Sequence, residues 1–217
     1  SLKQNKRVIL NIGGISNISF LVNDAVLLGF DCGPGNILLD QWIYGKKNLT
    51  FDNDGQWSRD GEVIPDLLNT FIQDPYLKKL PPKSTGREDF NLTWLVQQIE
   101  LFGRTITAAD IQASLLEVTA QSLINGIKQQ APSTDSLYVC GGGAFNDQLL
   151  QRIKVVAADA SLDLAVETTS TLGIAPESVE ATAFAWLAQQ TLENLPGNNP
   201  ATTGARHEVV LGGIYPA

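Results

Sequence analysis

These 217 residues contain no methionine, one histidine and two cysteines, and each scarcity excludes something. Cys32 and Cys140 lie in dissimilar surroundings. Two thiols cannot build a disulfide framework for a chain of this length, and without a Cys/His cluster zinc is not indicated. That usage fits a reduced, cytoplasmic setting. His207 sits in a late polar loop and reads as solvated. No run approaches the ~20 apolar residues of a membrane helix, and no signal peptide precedes the first strand. Positive charge is also short. Fifteen Lys and Arg face 23 Asp and Glu, a formal net charge of −8 and a pI near 4.6. That balance argues against nucleic acid or an anionic membrane as partner. The chain opens Ser1-Leu2-Lys3-Gln4-Asn5 directly before a core-like strand, without an initiating Met, and reads as a processed or excised piece.

What is present is an ordinary globular composition, 43% hydrophobic and 18% charged, with 19 glycines. Many of those glycines fall in pairs or triplets at expected strand ends, where a backbone can approach a ligand closely. Arg7-Val8-Ile9-Leu10-Asn11-Ile12 reads as a buried strand ended by Gly13-Gly14. A second strand follows over 15–22, then an Asn23-Asp24 turn, then a third strand over 26–31. Connections this short require an antiparallel meander. The third strand delivers Asp31 into Asp31-Cys32-Gly33-Pro34-Gly35-Asn36, and a helix is expected over 36–46. At such a junction Asp31 is either a functional carboxylate beside free backbone N–H groups or the cap of the next helix.

Residues 51 to about 106 break this pattern and read as a helical insertion, with helices at 62–73 and 90–102 and a loop at 75–82. Asp52-Asn53-Asp54-Gly55 matches a calcium loop only in part, since Gly arrives two places early and the closing Glu is missing. Lys83-Ser84-Thr85-Gly86-Arg87-Glu88 is the densest polar cluster. It reads either as a solvated loop or as a Lys83/Arg87 clamp on an acidic group. Thr107 and Asp110 announce a long amphipathic helix to about 129, with Ile111, Leu115, Val118, Ser122 and Ile127 inward. A strand at 137–140 runs into Gly141-Gly142-Gly143-Ala144. Asn146 then caps a helix, a strand follows at 164–168, and a helix rich in small residues spans 177–194. The expected fold is one α/β domain over 1–217, a mixed sheet whose first three strands form an antiparallel meander, with flanking helices.

A Gly-Gly turn between the first two strands and a later strand ending in three glycines together resemble one ribonuclease-H-like lobe of the actin/hexokinase/Hsp70 superfamily of ATP-binding proteins. The resemblance narrows with Asn11-Ile12-Gly13-Gly14-Ile15-Ser16-Asn17, Phe30-Asp31-Cys32-Gly33-Pro34-Gly35-Asn36, Lys83-Ser84-Thr85-Gly86-Arg87-Glu88, Val139-Cys140-Gly141-Gly142-Gly143, Glu180-Ala181-Thr182-Ala183-Phe184-Ala185-Trp186 and Leu195-Pro196-Gly197-Asn198. These resemble the anhydro-N-acetylmuramic acid kinases, from about Arg7 to the C-terminus.

That resemblance implies an enzyme of cell-wall recycling. It would use ATP and Mg²⁺ to open the 1,6-anhydro ring of its amino sugar with water, giving N-acetylmuramic acid 6-phosphate. It places Asp31 as general base and Glu180 as a supporting carboxylate. Gly13 and Gly14 would face the phosphates and Gly141, Gly142 and Gly143 the adenosine, with Lys83 and Arg87 on the substrate. Plainer roles stay open for each: a favourable acid in a helix's first turn for Glu180, tight packing for the glycines. The family's preceding lobe, with its Gly-Thr-Ser-x-Asp-Gly phosphate loop, has no counterpart here, so this chain is expected to turn over negligibly by itself. Family members are usually homodimers. The alternatives are a non-catalytic nucleotide- or sugar-binding lobe, an actin-type ATPase, or another kinase of the superfamily.

Overall fold

A computed structural model of the chain describes residues 5–215; the opening residues 1–4 lie outside it. The meander forms as expected, as β1 (Lys6–Ile12), β2 (Ile15–Val22) and β3 (Ala25–Pro34). Asn23 and Asp24 both take positive φ in the β2–β3 turn, the geometry a two-residue hairpin requires. After α1 (Ile37–Lys47) come the insertion helices α2 (Gln56–Asp60), α3 (Pro65–Ile72), α4 (Pro75–Lys78) and α5 (Leu92–Phe102). Then follow α6 (Ala108–Gln130), β4 (Ser136–Cys140), α7 (Asp147–Asp159), β5 (Ala165–Thr168), α8 (Val179–Leu192) and α9 (Pro200–Thr203). Among the described residues the sheet runs β3-β2-β1-β4-β5. β1 is antiparallel to β2 and parallel to β4, and β4 is parallel to β5. This is the mixed sheet of a ribonuclease-H-like lobe.

Val8, Leu10 and Ile12 of β1 and Leu137 and Val139 of β4 are wholly buried. They share one buried core with Leu115, Val118, Leu123 and Ile124 of α6. That helix is buried on more than the one stripe expected: Gln112, Ser114, Leu116, Glu117 and Thr119 are buried too. Most of its buried polar side chains are partnered, as buried polar groups generally are, although Gln112 Oε1 has no hydrogen-bond partner among the described residues. The Ser114 hydroxyl accepts from the Ile64 N–H at 3.1 Å. Thr119 donates to the Pro34 and Gly35 carbonyls, and Glu117 takes two hydrogen bonds from Arg152 of α7 at 2.7 and 3.0 Å. α6 is therefore the spine between sheet and insertion. The aromatic cluster Tyr76, Phe90, Trp94 and Phe71, with centroids 5.4–5.7 Å apart, fixes the insertion as one body.

Two expectations need correction. The stretch 75–82 is not all loop, because Asp74 caps α4 by accepting from the Tyr76 N–H. The small-residue helix also behaves unlike a packed one. α8 touches the 176–178 turn and the late tail, yet none of its residues is buried.

The junction after β3 is held chiefly by backbone hydrogen bonds, with Asn36 and Thr119 adding side-chain bonds to the Ile12, Pro34 and Gly35 carbonyls. Gly35 and Ile37 donate to the Gly14 carbonyl at 2.9 and 3.1 Å, and Asn36 to the Gly13 carbonyl at 2.8 Å. The N–H groups of Gly35, Asn36 and Ile37, expected to be free, are therefore occupied. A Cβ on Gly35 would fall 2.4 Å from the Gly13 oxygen. Gly35→Ala is thus expected to lower stability by about 2–4 kcal/mol in urea melts. Gly45→Ala, in α1 where a Cβ meets nothing within 4 Å, should raise it by up to about 1 kcal/mol.

Candidate active site

Asp31 does not cap α1. The cap position is Asn36, which makes no side-chain capping bond. Asp31 lies within β3 opposite Asn17, whereas Gly33 lies opposite Ser16. Cys32 is thus the extra residue of a β-bulge, a device that re-aims side chains beside functional sites. The Asp31 carboxylate is held from outside the sheet. Its Oδ2 accepts from Ser84 Oγ at 2.8 Å and from the Thr85 N–H at 3.0 Å. Oδ1 has no hydrogen-bond partner among the described residues. The backbone is pinned as well: Asp31 N–H donates to the Lys83 carbonyl at 3.3 Å, and the Tyr76 hydroxyl donates to the Asp31 carbonyl at 2.8 Å. Thr85 is anchored in turn by its 2.6 Å bond to Asp89.

A polar cavity of about 250 Å³ opens at this carboxylate, lined by Asn17, Ser19, Asp31, Lys83, Ser84 and Thr202 among others. Thr202 arrives on α9, whose cap Asn199 also donates to the Val26 carbonyl at 3.4 Å. Lys83 lies 4.7 Å from the Tyr76 ring centroid and donates to the Tyr76 carbonyl at 3.4 Å. Burial holds its ammonium below the usual lysine range, with Cys32 and Asp31 opposing that shift. Arg87 is exposed and outside the cavity, so the two cations do not form a clamp here. Burial pushes the Cys32 thiol up to about 12, leaving it an inert packing group.

A second cavity, of about 530 Å³, lies past the same turn, lined by Asn36, Leu39, Asp40, Phe51, Gly142 and Phe145 among others. The two glycine segments meet at its edge, because parallel pairing sets Asn11 beside Cys140. They are not equivalent. Gly141 has φ +79°, and a Cβ there would fall 2.4 Å from Asn11 Oδ1; one on Gly143 would fall 2.4 Å from Ile12. Packing by itself demands both glycines. Gly142 lines the cavity instead. Gly13 and Gly14 meet only ordinary contacts at 3.6 and 3.8 Å, so folding does not require glycine at either.

Glu180 is exposed in the first turn of α8. The Pro176 carbonyl accepts from the Gly141 N–H, which tethers the start of that helix to the glycine triplet rather than to Asp31. The calcium-like stretch is a structural turn: Asp52 accepts from the Trp57 and Ser58 N–H groups at 2.8 and 2.9 Å. Among the described residues no group of three or more His, Cys, Asp or Glu is placed to hold a metal. His207 is exposed, as expected.

Sequence reasoning missed three parts of the site. Ser84 and Thr85 stood inside the flagged polar cluster, but charge drew attention to Lys83 and Arg87. Tyr76 and Thr202 carried no local signal. Asp40, Phe51 and Phe145 read as ordinary helix and loop residues.

A mixed sheet of this order, with glycine segments at the ends of β1 and β4 and a carboxylate on β3, defines one lobe of an actin-like ATPase fold. Comparison with known proteins is more specific. The family model described as anhydro-N-acetylmuramic acid kinase matches residues 1–217, and the chain belongs to that family. A relative of that name from Pseudomonas syringae pv. tomato is 45% identical over 211 residues, 97% of this chain and 57% of the relative. Another, from Shewanella sp. strain ANA-3, is 48% identical over 213 residues, 98% of this chain and 56% of the relative. The chain therefore spans a little over half the length of these relatives. Among solved structures, an activator of 2-hydroxyisocaproyl-CoA dehydratase from Clostridium difficile, with bound ADPNP, matches at 14% identity and a TM-score of 0.47, covering 86% of this chain and 63% of that one.

Asp40 supplies a stability test. Burial first, and the Asp52 charge second, raise its carboxyl to about 6, against about 3.9 in an unfolded chain. The folded state then holds the proton more tightly, so stability falls as pH rises from about 4 through 6. Asp40→Asn should remove that loss. Its unfolding free energy should exceed that of the unsubstituted chain by on the order of 1 kcal/mol at pH 8, after discounting for solvent screening, and match it at pH 4.

Proposed function

We propose that this chain is the catalytic-base lobe of an ATP-dependent sugar kinase that opens the 1,6-anhydro ring of 1,6-anhydro-N-acetylmuramic acid and phosphorylates it to N-acetylmuramic acid 6-phosphate. The observation that carries the reading is the asymmetry at Asp31. Two fixed donors occupy Oδ2 and orient the carboxylate, while Oδ1 is left to accept from a water molecule in the polar cavity. A base anchored on a strand and supported by a second layer of contacts keeps the precision that proton transfer needs.

In this reading Oδ1 removes a proton from water as the water oxygen bonds to the anomeric carbon. The bond from that carbon to the bridging oxygen breaks, and the oxygen freed at carbon six takes the γ-phosphoryl group of ATP. Lys83 and Thr202, on the cavity wall, would contact the sugar. Gly13 and Gly14, which folding leaves free to carry side chains, would allow phosphate to approach the backbone. The 530 Å³ cavity at Gly142 has the size of a nucleoside site. Mg²⁺ characteristically takes one or two carboxylates together with substrate phosphates, so the absence of a three-acid cluster among the described residues is compatible with a nucleotide-borne ion. Glu180 would support the nucleotide side from the first turn of α8, a helix that follows the Pro176 carbonyl bonded to the Gly141 N–H. The two buried free thiols fit a reduced, cytoplasmic setting, and no helix among the described residues is long and apolar enough to cross a membrane.

Because phosphoryl transfer depends on positioning from all sides of the nucleotide, the 217 residues alone should release negligible ADP from ATP and sugar. Fused to the part of a relative that it does not cover, the chain should open the ring. In that fusion Asp31→Asn should lower kcat about 10²–10⁴-fold with ADP affinity unchanged. Full turnover by the Asn variant in a coupled ADP assay would remove Asp31 from its role.

A further inference from the structure

Asp40 stands apart from every other acid near the larger cavity. Asp52 is spent on α2, accepting from Trp57 and Ser58 backbone N–H groups and from the Ser58 hydroxyl at 2.6 Å. Asp54 accepts from the Asn53 side chain at 3.1 Å. The half-buried Asp40 carboxylate has no hydrogen bond and no salt bridge among the described residues, and no lysine or arginine lines the cavity it faces. A half-buried carboxylate without a donor is unfavourable, as its raised pKa reflects. The same cavity carries two large aromatic side chains left in contact with water, Phe51 at 58% and Phe145 at 54% exposure. A ligand that brings both a flat apolar face and neutral hydrogen-bond donors would relieve both conditions at once. The three acids in the lining, Asp40, Asp52 and Asp54, would repel a phosphate from this cavity, which leaves the phosphates to Gly13 and Gly14.

We propose that Asp40 is the specificity-determining residue of the nucleotide site, its carboxylate accepting from the O–H or N–H donors of a nucleoside that lies against Phe51 and Phe145. The proposal rests on the nucleotide reading above. It gives the cavity lined by Asp40, Phe51, Gly142 and Phe145 to the nucleoside and leaves the phosphates to Gly13 and Gly14, which are not among its lining residues. The other charged groups lining this cavity are Asp52 and Asp54, both acids, so lowering the pH weakens the Asp40 acceptor and introduces no competing cation from the cavity wall.

The test is calorimetric titration of the 217-residue chain and its Asp40→Asn variant with ADP, 2′-deoxy-ADP and inosine diphosphate, at pH 7.5 and pH 5. The substitution is close to isosteric, and thermal melts of both proteins confirm folding. The expected result is at least tenfold weaker ADP binding by the variant at pH 7.5. The unsubstituted chain should also lose affinity between pH 7.5 and 5 by a larger factor than the variant does. Selective weakening toward 2′-deoxy-ADP in the unsubstituted chain, levelled in the variant, assigns the donors to the ribose; weakening toward inosine diphosphate assigns them to the base amine. Equal ADP affinity for both proteins, or an identical pH effect in both, overturns the role of Asp40 and leaves the nucleotide reading standing. No ADP binding by the folded chain overturns both.

Discussion

Three backbone hydrogen bonds hold this lobe's working end together: those from Gly35, Asn36 and Ile37 to the carbonyls of Gly13 and Gly14. They fasten the β1–β2 turn onto the junction between β3 and α1. Side chains brace the same junction, Thr119 from α6 onto the Pro34 and Gly35 carbonyls and Asn36 onto the Ile12 carbonyl, but the close contact itself is possible only because Gly35 brings no Cβ against the Gly13 oxygen. From this fixed point the chain runs back to Asp31 and forward to Asp40, and the cavities at those two carboxylates become neighbours across a single turn. A carboxylate on a strand and a helix beginning six residues later are thereby locked in one geometry.

The insertion then finishes what the sheet begins. A bulge at Cys32 re-aims β3, but the Asp31 side chain would still be free to rotate without Ser84 and Thr85. Those two residues are held by the 83–89 loop, and that loop ends in Phe90, which is buried and stacked edge-on against Tyr76 and Trp94. Tyr76 also reaches the Asp31 carbonyl. Hydrophobic packing some distance from the sheet thus sets the orientation of the Asp31 carboxylate. The insertion behaves as the support of the site rather than as an appendage to it.

Much of this was legible in the sequence because local rules and tertiary demands agree there. Short connections forced the meander, Thr107 capped α6, and Asn146 capped α7. Legibility failed where a residue's role depends on a distant partner. The N–H groups of Gly35, Asn36 and Ile37 looked free because their acceptors, Gly13 and Gly14, lie more than twenty residues earlier. Lys83 and Arg87 looked paired because both are charged and close in sequence, yet Lys83 turns onto Tyr76 and Arg87 into solvent. The glycine triplet read as one motif, whereas packing against β1 explains Gly141 and Gly143, and the cavity accounts for Gly142. Small residues in α8 suggested close packing, which no described element supplies.

The central claim is that Asp31 Oδ1 activates a water molecule for attack on the anomeric carbon. It is tested most directly by running the ring-opening reaction of the chain, fused to the uncovered part of a relative, in ¹⁸O-water. The product is analysed by mass spectrometry at times shorter than anomeric exchange. The account predicts one ¹⁸O in the anomeric hydroxyl and none in the phosphate ester. Label in the phosphate, or ring opening without solvent oxygen, would contradict it.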